Sequence, residues 1–81
     1  MENPATWTPA QKAINEALYE PSHTTPEARA AAALKVQIPN PDPKLVADVA
    51  QIIADYEQAL ATGFCGASLS RKVLDHIQNL G

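Results

Sequence analysis

A single cysteine, Cys65, stands among the 81 residues, and that scarcity closes several routes at once. One thiol cannot form an internal disulfide. With His23 and His76 it makes a set spread too widely for the close ligand pairing of a zinc site, so no metal is expected. Glycine is nearly as rare, at three residues, and forms neither a Walker spacing nor a dinucleotide fingerprint, so no nucleotide cofactor is expected. The aromatics are Trp7, Tyr19, Tyr56 and Phe64, which leaves the core to Ile, Leu and Val. No apolar run approaches the roughly 18 residues that cross a bilayer. No charged start leads into an apolar leader, and the expected setting is the cytoplasm, without a membrane partner. Positive charge is short too: six Lys and Arg against nine Asp and Glu give a net charge of -3, which weakens any general attraction to nucleic acid.

Helix punctuation is abundant. In "TWTPAQKAINEALYEP" Thr8 suits an N-cap, Pro9 the first helical position and Gln11 the capping-box position, while Pro21 stops the helix. "HTTPEARAAAALKVQIP" repeats the signal with Thr24 or Thr25 as cap and Pro26 after it, and predicts a helix to about Gln37. Prolines at 39, 41 and 43 make a stiff connector. Asp42 then caps a helix of about Lys44 to Ala61, in which Leu45, Val49, Ile52, Tyr56 and Ala59 step by four and three. Its other face carries Lys44, Asp48, Gln51, Asp55 and Gln58 and reads as solvated. Gly63 suits a left-handed C-cap with Phe64 folding back, and Ser68 caps a last helix of about Leu69 to Leu80. The expectation is an all-α fold: one compact domain of four helices with short loops, preceded by a loose arm over residues 1–6.

The stretch "ATGFCGASLSRK" is the one that looks like chemistry. A nucleophilic Cys65 needs a base within reach, yet His76 lies about two helical turns beyond Ser68, on the order of 11 Å of rise. No catalytic residue is assigned, and the chain is not expected to be an enzyme. Backbone N–H groups around Gly66 to Leu69 would suit an anion, but a glycine C-cap followed by a serine N-cap explains the same residues.

Two functions remain. A thin, alanine-rich core favours an interaction module that docks on itself or on a protein partner, with Trp7, Leu34, Ile38, Ile53 and Tyr56 as candidate contacts. The alternative is a helix-turn-helix regulator. "SLSRKVLDHI", Ser68 to Ile77, resembles the recognition helix of lactose-repressor-class regulators, and that resemblance implies that Ser70 and Arg71 approach the major groove, with Lys72 beside them. Lys72 stands where that family continues with an apolar residue. Residues 62–81 carry Arg71 and Lys72 against Asp75, a balance of only +1, so one copy would attract phosphate feebly.

Overall fold

Every helix begins where a side-chain oxygen closes one of the first unpaired N–H groups. The computed structural model describes residues 4–64, 66 and 68–80. Among these there are four α-helices: α1 Pro9–Leu18, α2 Pro26–Lys35, α3 Pro43–Ala61 and α4 Leu69–Gln78. A short 3-10 turn, Pro4–Thr6, occupies part of the stretch expected as a loose arm. Thr8 accepts from the Gln11 amide at 3.2 Å, Thr25 from Ala28 at 3.1 Å, Asp42 from Lys44 at 2.7 Å and Ser68 from Arg71 at 3.3 Å. Each of these caps contributes about 1 kcal/mol to its helix. Proline follows three of them at the first helical position, where its missing N–H costs nothing.

The ends of α2 and α4 fall short of the sequence expectation for the same reason. After Lys35 the amides of Val36 and Gln37 reach back only three residues, to Ala33 and Leu34, and tighten the last turn. Pro39 then disfavours helical angles at Ile38, which closes the helix there. At the end of α4 the Leu80 amide likewise turns to Ile77, at 3.2 Å.

The end of α3 is a Schellman motif. Gly63 adopts φ +96°, its N–H bonds to Leu60 O at 3.1 Å, and the Phe64 N–H returns to Ala59 O at 3.0 Å. This closure aims Phe64 back along the helix. Its ring meets Tyr56 edge to face, with centroids 5.7 Å apart and planes at 79°.

The helices form a ring in chain order: α1 packs on α2 and α4, and α3 closes the other side against the same two. Into the centre go Ile14 and Leu18, Ala30, Ala33 and Leu34, Val49, Ala50, Ile53 and Tyr56, and Leu69, Val73 and Leu74. Each large aliphatic side chain buried there contributes about 1.5–3 kcal/mol, and the alanines of α2 let neighbouring backbones approach closely. The molecule exposes 4995 Å², close to the roughly 4,700 Å² that size scaling gives for a folded monomer of 8.7 kDa.

Two polar clusters fix the ring. Gln11, 2% exposed, donates from its side-chain amide to Ser68 Oγ at 3.2 Å and to Ser70 Oγ at 3.4 Å, tying α1 to the start of α4. Arg29 on α2 donates from Nε to Leu18 O at 2.8 Å, where the carbonyl end of α1 is negative, and from Nη1 to Glu57 of α3 at 2.8 Å. Its guanidinium also lies 5.5 Å from the centroid of the Tyr19 ring, so one side chain joins three helices.

Candidate functional site

On α3 the apolar stripe is wider than the core can cover. At 100° per residue, Ile53 points inward and Glu57 lies on the flank turned to α2, while Ile52, Asp55 and Ala59 lie on the opposite flank, towards α4. The Schellman turn carries Phe64 to that same flank, and Lys72 arrives there from the first turns of α4. These residues and Tyr56 line a groove of about 350 Å³. Its floor and most of its walls are apolar, with Asp55 and Lys72 as its charged groups.

Phe64 shapes one wall. A Cβ at Gly66 would strike Phe64 Cζ and come within 2.8 Å of Cε2, so the missing side chain of Gly66 is the space in which the ring sits. The Lys72 ammonium lies 5.3 Å from the ring centroid, a cation–π contact that keeps its four-carbon stem along the groove. Phe64 remains 36% exposed and Leu60, one turn beyond Tyr56 on α3, 45%.

The residues expected to bind a partner scatter. Leu34 and Ile53 are fully buried and belong to the core, so neither is offered at a surface. Ile38 packs half-buried against the core from the connector. Trp7 is also half-buried, with its indole Nε1 enclosed and unpaired among the described residues, as is Nε2 of His76. Of that set only Tyr56 lines the groove, presenting a ring that is itself mostly buried. Ile52, Asp55, Ala59 and Phe64 complete the site together with Lys72, which the sequence marks only as a DNA contact; apolar spacing identifies a stripe and not the edge of it left uncovered. The available signal was Gly63, which turns Phe64 back onto α3.

The helix-turn-helix residues divide as well. Arg71 and Lys72 are exposed on α4, but Ser70 is fully buried and accepts from Gln11, so in this fold it is not presented to a DNA groove. Cys65 lies outside the described residues. Among the described residues, no group of three His, Cys, Asp or Glu side chains comes together to hold a metal ion, and no helix is long and apolar enough to cross a membrane. Comparison of the chain with protein-family models, with curated proteins and with solved structures found no match.

Proposed function

We propose that the chain is a small non-enzymatic interaction module of the cytoplasm, acting as a regulator or adaptor by receiving a protein surface in the α3–α4 groove. The observation that carries this reading is the groove itself. It is a concave, mostly apolar surface with the exposed ring of Phe64 in its wall, and exposed Leu60 stands one turn beyond Tyr56 on the same helix. Adjoining exposed apolar groups around a pocket are what a docking anchor uses, since desolvating them adds affinity that scattered surface leucines do not. The monomer's complete core supports a module that folds first and docks afterwards.

The experiment is site-specific photo-crosslinking in extract from the source cells. A photoreactive residue replacing Leu60 is expected to give a discrete protein adduct, lost when Phe64→Ala is added, while the same probe at exposed Asp48 gives none. Equal labelling from both positions, or none from Leu60, refutes the reading. The DNA-binding alternative predicts instead a salt-dependent duplex complex that Arg71→Ala and Lys72→Ala weaken.

A further inference from the structure

The two charges of the groove stand on different helices, Asp55 on α3 and Lys72 on α4, with the apolar lining between them. Among the described residues neither forms an ion pair. Asp55 accepts a hydrogen bond from the Gln51 amide at 2.9 Å, and the Lys72 ammonium rests over the Phe64 ring. The ion pair between Arg29 and Glu57 joins α2 to α3 on the other flank.

A two-fold axis brings each residue of one copy opposite a different residue of the other, and does so twice. An acid and a base on either side of an apolar strip are therefore complementary to themselves after a half-turn. With the axis running between them, the Asp55 position of one copy falls opposite the Lys72 position of the next. A groove charged with one sign would repel its own image and call for a foreign partner. This one carries one charge of each sign.

Resting on the docking function proposed above, we infer that the groove's partner is a second copy of this chain. Asp55 of each copy faces Lys72 of the other, and the apolar lining with the exposed ring of Phe64 meets its own image between them. The net charge of -3 on each copy does not prevent this. At physiological ionic strength the screening length is about 8 Å, short beside a molecule 33 × 27 × 25 Å in extent, so the facing pairs outweigh the distant charges. Because each copy encloses its own core cluster, the dimer is reversible. A stable interface takes about 800 Å² from each partner, close to one-sixth of the 4995 Å² this chain exposes.

The test is sedimentation equilibrium of the full chain and its charge-reversal variants, from about 5 to about 500 μM, a range that covers transient interfaces. The wild type is expected to shift from monomer to dimer across that range. Asp55→Lys and Lys72→Asp, both at exposed positions, are each expected to weaken association about tenfold or more, since each replaces two attractions by two repulsions. Mixed one to one, the two variants are expected to form a heterodimer near wild-type strength, because every facing pair is again opposite in sign. Far-ultraviolet circular dichroism checks that both are folded, and Ala59→Glu, which puts a charge into the apolar lining, provides an independent loss of the dimer. A wild type that stays monomeric at every concentration overturns the inference, as does a dimer indifferent to both reversals or a mixture that fails to associate. If the wild type is monomeric while the Leu60 probe still captures a discrete foreign protein through Phe64, self-pairing falls and the docking function stands. If the probe also captures nothing, both fall.

Discussion

Replacing Gly63 isolates the backbone contribution to the turn that builds the groove. A Cβ placed there meets nothing within 4 Å, so steric contact with other residues is removed from the comparison. What remains is the φ of +96°, about 40° beyond the centre of the left-handed region. An L-residue in that region costs about 1–2 kcal/mol, and φ +96° lies towards the costly side. Alanine also lowers the entropy of the unfolded chain, which returns about 0.4–1 kcal/mol. The net expectation for Gly63→Ala is a loss of about 1 kcal/mol, or about 4–8 °C in Tm for a domain of this size. Gly63→Asn should lose less, because asparagine tolerates the left-handed region, and Gly63→Val more, because its β-branch does not. Urea unfolding followed by circular dichroism gives all four stabilities. The order Gly, Asn, Ala, Val runs against side-chain volume at its middle step. An alanine variant as stable as the wild type, or losses that simply track volume, would refute the argument that φ decides this position.

Gln11→Leu removes the amide donor from the fully buried Ser70 hydroxyl, which keeps Ser68 Oγ at 3.1 Å, and is expected to cost about 1 kcal/mol; adding Ser70→Ala should recover part of that, so the two changes are non-additive in a urea double-mutant cycle. Arg29→Met is expected to cost about 1–2 kcal/mol, chiefly for the Leu18 carbonyl it leaves unpaired, whereas Glu57→Gln should cost less than about 0.5 kcal/mol because that carboxylate is half exposed; equal losses would show that the ion pair, not the carbonyl bond, is the stronger tie. The Tyr19 phenol is held above its usual value of 10.0, first by partial burial and then by Tyr56 and Glu57, against the opposing Arg29 cation. A raised folded-state value favours the protonated phenol, so its contribution is complete below pH 10 and is lost as pH rises through the folded value. Thermal unfolding from pH 8 to 11 should therefore show a loss beginning near pH 10 that is smaller in Tyr19→Phe, and an unchanged loss in that variant would refute the assignment.

The architecture was legible where its causes are local. Thr8, Thr25, Asp42 and Ser68 each stand two or three residues before the amide they cap, and Gly63 is adjacent to the residue it redirects, so a reader of the chain finds four starts and one sharp turn without knowing the neighbours. Helix ends were less legible, because α2 and α4 tighten into three-residue turns over their last carbonyls. The Gln11–Ser70 contact spans 59 positions and has no local cause. Its trace in the sequence is a polar residue standing in each apolar stripe, Gln11 ahead of Ile14 and Leu18, and Ser70 between Leu69 and Val73. The interaction surface was the hardest part. Leu34 and Ile53 share the chemistry expected of a docking anchor, yet helix packing decides which greasy side chains are consumed, and that depends on all four elements together.

Because the Phe64 ring occupies the volume that a methyl at position 66 would need, the aperture of the cleft is governed by an absence. Alanine there would push a movable ring aside and leave α3 and α4 where they are. Scanning the lining by truncation would therefore miss the position that sets its width, and a partner's fit can be retuned by one added carbon outside the contact zone.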